Sequence, residues 1–316
     1  MTTAASSSSN GPPLGKYLAS TEKKVRDKAI KNLAAFLSDT ENELPEAEIN
    51  KLWKGIFYCF WMSDKPLVQQ ALAQELAELV LTIPDDEKSL QFLRGFWITL
   101  VREWNGIDRL RMDKYYLLIR RFVNVSFRLL IRADFEPMTC EELNDIISGP
   151  GGPLSSSDLK VPAGLGYHLS DLYLEELDKA LASTPSSSKT PSALSAAAFQ
   201  NILQPFVQLA ASTSNTTLFK RVQDSVLEPV FTSVLPPSAS TQASDSDSDE
   251  EEDGRAKKRA RQDRYPHLSD RIEESERTRS ALAKHIFETA SQEDTLDSNR
   301  RKLYKIWRSL GEDSEA

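Results

Sequence analysis

Two cysteines, three histidines and twelve glycines in 316 residues leave little material for several kinds of chemistry. With only Cys59 and Cys140 there is no disulfide framework to build and no thiolate ligand set for a metal. His168, His267 and His285 stand alone, without a second histidine or a cysteine at ligand spacing, and HExxH, CxxC and GxSxG are absent. The longest apolar run is the octet ending at Met62, with Gly55 counted. That is far short of the roughly 20 residues that cross a bilayer, so no membrane partner is expected. The opening "MTTAASSSSNGPP" has no basic n-region, no apolar h-region and no presequence arginines. The chain is therefore expected to start in the cytosol and to work in a reduced compartment.

What the sequence does have is a hydrophobic content of 40%, enough for a sizeable core, and a charge distribution that its net value of -8 conceals. Seven acidic residues fall between Asp245 and Asp253, and directly behind them "RAKKRARQDR" carries six basic ones. Without the acidic tract the net charge would be -1, so the charges are segregated rather than uniformly acidic.

Helical periodicity runs through most of the chain. Lys16 to Leu37 places Leu18, Val25, Ala29, Ile30, Leu33, Phe36 and Leu37 on one side, with an interruption near Ser20 and Thr21. Further helices are read over Pro45–Met62, Lys65–Ile83, Asp85–Trp104 and Asp108–Ala133, each with apolar residues at steps of three and four. A capping box of Thr139 and Glu142 is expected to start a short helix that Gly149 ends. The loop that follows, 149–163, lacks the GK[ST] of a phosphate loop and is interrupted by Pro150, Pro153 and Pro162. Helices resume over Leu165–Leu181, Ser192–Ala211 and Thr216–Val234, with Pro205 and Pro229 expected to kink or split the last two.

The expected organisation is a disordered N-terminus over 1–13, a helical-repeat-like domain over 14–235, a disordered acidic then basic linker over 236–269, a C-terminal helical segment over 270–310 and a tail over 311–316. The expected fold is all-α. Short connections between successive helices allow a closed bundle or an open stack. The helix lengths, and the HEAT-like look of "EKKVRDKAIKNLAAFL", favour an α-solenoid-like (HEAT/armadillo-type) stack of antiparallel helices.

The stretch "FYCFWMSDKPLVQQ", Phe57 to Gln70, reads as a helix end and a corner. Cys59 among aromatics is expected to be a buried, inert thiol. Asp64, with Ser63 as the alternative, is expected to cap the next helix, and Pro66 to occupy its first turn. His168 reads as structural, and Glu175 and Glu176 as a solvated helix face. No catalytic residue, metal site, cofactor or small-molecule substrate is indicated.

Other charged groups are candidates for contact. Lys257, Lys258, Arg259 and Arg261 form a cluster of the nuclear-localisation or phosphate-binding type. Ser244, Ser246 and Ser248 each have an acidic residue three positions on, the pattern of acid-directed phosphorylation. Arg109, Arg111, Lys114, Arg120 and Arg121, and Arg300, Arg301 and Lys302 with Lys305 and Arg308, are candidate contacts to RNA phosphate or to a partner, or else pair with acids of adjacent helices. Tyr304 and Trp307 fall on an apolar stripe and read as packing against protein.

The blocks "LWKGIFYCFWMSDKPLVQQALAQELAEL" and "RMDKYYLLIRRFV" resemble the most characteristic stretches of the ribosomal RNA-processing protein 1 family. "GLGYHLSDLYLEELDKAL", "LQPFVQLAAST" and the C-terminal "FETASQEDTLDSNRRKLYKIW" are also similar to segments of that family. The resemblance covers roughly Leu14 to Leu235, with nothing carried over where the sequence between Glu141 and Lys160, and after Leu235, looks peculiar to this chain. It implies a non-enzymatic nucleolar scaffold of large-subunit assembly, needed for processing of internal-spacer RNA. The implied partners are pre-ribosomal RNA and assembly-factor proteins of the large-subunit precursor, in the nucleus and nucleolus. It supplies no catalytic residues. Two competing readings are a hydrolase or nuclease of the same pathway and a helical-repeat adaptor unrelated to ribosomes.

Overall fold

The computed structural model describes residues 17–18, 20, 22–39, 41, 45–158, 160–183, 193–237 and 264–310. Their regular structure is helical: α1 (Lys23–Ser38), α2 (Glu46–Trp61), α3 (Pro66–Thr82), α4 (Asp86–Glu103), α5 (Met112–Arg132), α6 (Pro137–Ser148), α7 (Ala163–Ala182), α8 (Ala196–Ser212), α9 (from Thr216), α10 (Pro266–Arg271), α11 (Ser275–Ser291) and α12 (Asp297–Ser309). The starts follow local chemistry. Asp85 accepts from the Lys88 amide at 2.8 Å, Asn215 from the Thr217 and Leu218 amides at 3.0 Å, and Ser195 from the Ala198 amide at 3.2 Å, each satisfying orphan donors of a first turn.

The helices form two layers. Odd-numbered helices pack side by side, α1 on α3, α3 on α5, α5 on α7 and α7 on α9, while α2 packs on α4, α4 on α6, α6 on α8 and α8 on α11. Contact between every second helix is the signature of a stack, because a closed bundle would also bring its ends together. The fold is the α-solenoid-like stack expected from the sequence. Arginines bridge successive helices within each layer: Arg128 to Glu78 (α5 to α3), Arg120 to Glu175 at 2.8 Å and Glu176 at 2.7 Å (α5 to α7), Arg221 to Asp171 at 3.3 Å (α9 to α7), and Arg94 to Glu142 at 2.7 Å and Asp145 at 2.8 Å (α4 to α6).

Between the layers lies a continuous apolar core. At its centre Trp53 of α2 meets Phe92 and Phe96 of α4 and Phe122 of α5, with centroids 4.7, 5.4 and 5.5 Å away, and its indole N–H donates to the Phe92 carbonyl at 2.8 Å. Gly95 makes this crossing close. A Cβ there would fall against Trp53 Cδ1 and within 2.5 Å of Ile49 Cγ2.

Several local expectations are corrected. Glu176 is not on a solvated face; it is 2% exposed, because it meets Arg120 of α5 and Lys179 of its own helix. The capping box does not form. Helix α6 begins earlier, at Pro137, with Glu136 as its cap accepting from the Thr139 amide at 2.8 Å, which leaves Glu142 free to pair with Arg94. Pro205 is accommodated inside a continuous α8. Past Val222, α9 continues as π-helical turns over Gln223–Leu227 and Val230–Val234, with Pro229 between them. The wider i→i+5 spacing relaxes the backbone around a residue that cannot donate.

The loop after α6 is packed rather than open. Gly152, Pro153, Leu154 and Ser155 are buried, and Gly151 takes a φ of 78° that suits glycine. Residues 264–269, expected to belong to the linker, instead lead into and form most of α10, which packs on α7 and on the end of α9. Leu194 and Ile272 form an isolated parallel bridge, with the Leu194 amide donating to the Arg271 carbonyl at 2.7 Å. Helices α11 and α12 then lie on α8.

Candidate functional site

The end of α2 is where the aromatic run meets charge. Lys114, in the first turn of α5, is 5% exposed and its ammonium donates to the carbonyls of Phe60 at 2.9 Å, Trp61 at 2.7 Å and Ser63 at 2.8 Å. All three of its donors are used, at carbonyls clustered where α2 ends; the Phe60 and Ser63 carbonyls also accept from Ser63 Oγ and from the Gln69 amide group. Burial, then the neighbouring Arg111 guanidinium, pushes the Lys114 ammonium down to about 8, while Asp64 and Asp108 oppose that shift. Asp64 therefore acts here as a charge near Lys114. The residue at the N-cap of α3 is Lys65, with no side-chain cap, and Ser63 Oγ donates back to the Phe60 carbonyl at 2.7 Å, so neither Asp64 nor Ser63 caps α3. Pro66 is in the first turn, as expected.

Above this capped end a basic and aromatic surface forms. The Arg111 guanidinium lies 4.7 Å from the Trp61 ring centroid and pairs with Asp108. Phe57 is 6.0 Å from Trp61, 6.1 Å from Tyr58 and 5.1 Å from Tyr115, so the rings are one connected platform. Tyr58 is 43% exposed and Leu110, at the turn between Arg109 and Arg111, is 94% exposed. Arg109 is exposed next to Leu110 in the chain, and Lys54 lies one helical turn before Tyr58.

The candidate cations separate by what they touch. Arg120 is engaged with Glu175 and Glu176, and Arg300 with Asp297 at 3.5 Å and with the Gln292 and Thr295 carbonyls at 2.9 and 3.2 Å; both serve packing. Arg121 is half-buried, with an Nε that has no hydrogen-bond partner. Lys302 lies 4.4 Å from the Phe219 ring centroid and donates to Asn299 at 3.3 Å. Arg301, Lys305 and Arg308 are exposed at i, i+4 and i+7 on the outer side of α12. Tyr304 and Trp307 pack on Phe287 of α11, with centroids 5.4 and 4.8 Å away. Lys257, Lys258, Arg259, Arg261, Ser244, Ser246 and Ser248 lie outside the described residues.

The two cysteines are buried in the interior and His168 is half-buried. Burial pushes the Cys59 and Cys140 thiols up to about 11, which keeps them protonated at neutral pH. His168 packs against Tyr116 with ring centroids 4.4 Å apart and tilted by 46°, with Nε2 3.1 Å from the Tyr116 carbonyl, and burial holds its pKa below the usual histidine value. Among the described residues no group of three or more His, Cys, Asp or Glu is arranged to hold a metal ion, and no helix is long and apolar enough to cross a membrane.

Comparison with known proteins matches residues 9–307 to the family described as nucleolar protein Nop52. The chain belongs to the Nop52 family. The relatives it resembles include the Ribosomal RNA processing protein 1 homolog A of Homo sapiens, 31% identical over 94% of this chain and 69% of that protein. Homolog B of Homo sapiens is 36% identical over 67% of this chain but only 27% of its own length. The homolog of Dictyostelium discoideum is 27% identical over 93% of this chain and 57% of that protein. The chain thus spans about a quarter of homolog B and about two thirds of homolog A. The Nop52 match takes in both the aromatic corner of α2 and the C-terminal helices.

Lys114 stands among the cations expected from the sequence, but its buried role at the end of α2 was missed. The signal was present: Lys114 occupies a position one turn before Leu118 on the buried stripe of α5. A lysine on such a stripe must find several acceptors or lose its charge. Arg94, Arg128 and Arg132 were missed for a different reason, since each pairs with a carboxylate some 46 to 51 residues away in the chain, which periodicity does not reveal.

Proposed function

We propose that this Nop52-family chain is a non-enzymatic nucleolar scaffold in assembly of the large ribosomal subunit, needed for processing of the internal spacer. It would hold pre-ribosomal RNA and assembly-factor proteins on the faces of its helical stack. The observation that carries this reading is the corner of α2. The Arg111 guanidinium lies over the Trp61 ring, with Tyr58 exposed one turn earlier on α2 and Arg109 exposed two residues before Arg111; a cation on a ring face supports binding of a single strand of RNA. Phosphate contacts from such cations position a strand without reading its sequence, which suits a scaffold. The names of the relatives, which refer to ribosomal RNA processing, support the pathway.

In this proposal the cluster Lys257, Lys258, Arg259 and Arg261 directs the chain to the nucleus, and phosphorylation of Ser244, Ser246 and Ser248 adds charge to the acidic tract. Affinity purification of the tagged protein tests the role: large-subunit precursors should be recovered, and recovery of mature ribosomes alone would defeat it. The corner is tested by combining Tyr58→Ala with Arg109→Ala. Both side chains are exposed. Crosslinking to precursor RNA should fall while the melting midpoint stays unchanged.

A further inference from the structure

The outer side of the seam between α1 and α3 is an open groove of about 800 Å³. Ile30, Lys31 and Ala34 form one wall, and Leu67, Ala71 and Glu75 the other, at helical spacings of three, four and eight. Cys59 and Ser63, from the end of α2, lie at its floor. That end of α2 therefore serves two surfaces, with Trp61 against the Arg111 guanidinium on the other. Leu67 is 79% exposed, an unusual position for a leucine beside an apolar trough.

We infer that this groove receives an amphipathic helix of a partner protein. Three features select that occupant. Small side chains, Ala34 on one wall and Ala71 on the other, leave a trough between larger neighbours, the shape into which a ridge of helical side chains fits. The walls follow helices of 16 and 17 residues, long enough to accompany a partner helix for about four turns. The rims differ in net sign: on α1 Asp27 is paired with Lys23 and Lys31 is exposed beyond them, while α3 carries Glu75, exposed, and Glu78. The partner helix would carry apolar residues at i, i+3 or i+4, and i+7, with acidic groups toward Lys31 and basic groups toward Glu75. RNA is disfavoured because no aromatic side chain lines the groove among the described residues and a carboxylate sits on its rim.

The test places a photoreactive benzoylphenylalanine at position 71 of the full chain in cells and identifies the crosslinked peptides by mass spectrometry. The expected result is one segment of a partner protein with that apolar spacing. A synthetic peptide of the segment should bind the purified chain, and Leu67→Asp or Ala71→Arg should weaken binding at least tenfold. Both positions are exposed, so an unchanged melting midpoint will show that the variants fold. The inference is overturned by crosslinks only to RNA, to this chain's own N-terminal residues or to a second copy, by the absence of crosslinks, or by affinity that neither substitution alters. These outcomes are separate from precursor recovery and from the Tyr58/Arg109 variant, which test the corner.

Discussion

At the scale of single residues, two positions in the α2 region have opposite expected sensitivities. Asp64→Ala should change stability by no more than about 0.5 kcal/mol, since Asp64 makes no cap, whereas Lys114→Met removes three hydrogen bonds at a buried site, the Trp61 carbonyl losing the donor that serves it, and should cost at least about 2 kcal/mol. Chemical denaturation of the two variants checks this contrast. Lys114 also gives a pH signature. Its folded pKa of about 8 is below the unfolded value of 10.5, so between those values the unfolded chain holds more protons than the folded one. The wild type should therefore gain stability relative to Lys114→Met as pH rises from about 8 to 10.5; a constant difference would refute the assignment. At Gly95 the crossing of α2 and α4 leaves no room for a methyl group, and Gly95→Ala should cost about 1–3 kcal/mol in thermal melts. The apolar partners of these residues were legible in the sequence because periodicity places them. Which lysine goes inward was legible only in retrospect, since its acceptors are backbone atoms of another helix.

At the scale of elements, the stack depends on seams between every second helix, and the seams are where sequence reading weakened. Apolar spacing located α2, α3, α4 and α5 to within a few residues, because each helix must bury a stripe whatever its neighbour is. The bridges between helices were not legible, and this is why Glu176 was misread as solvated. The α5–α7 seam offers a direct test. Removing Arg120 leaves Glu176 at 2% exposure with Lys179 as its remaining partner at 3.1 Å. Because Arg120 is partly exposed and Lys179 remains, Arg120→Ala should cost about 2 kcal/mol, less than the full loss of a buried pair. A double-mutant cycle with Glu176→Gln should show the two positions strongly coupled; additive effects would mean that the pair contributes little.

At the scale of the whole molecule, the C-terminal helices complete the even-numbered layer. Asn299 of α12 donates to the Thr213 carbonyl at 2.7 Å and the Leu296 amide to the Ala211 carbonyl at 3.1 Å, so the end of α8 is closed by residues more than eighty positions later. Deleting residues 264–310 should therefore expose the face of α8, lower the melting midpoint and promote aggregation, measured by light scattering during the melt.

The closure has a consequence for the charged segment between positions 238 and 263. Arg279 of α11 donates to the Phe231 and Leu235 carbonyls at 2.9 and 2.7 Å, while the Leu268 amide donates to Asp178 of α7 at 2.8 Å and α10 rests on the end of α9. The two points where the chain leaves and rejoins the stack are thus neighbours. The free energy of joining neighbouring points rises only with the logarithm of the intervening length, by about 0.6 kcal/mol per doubling. The stack should consequently tolerate long changes in the length and charge of that segment, which leaves its composition free to vary while the helices keep their own register.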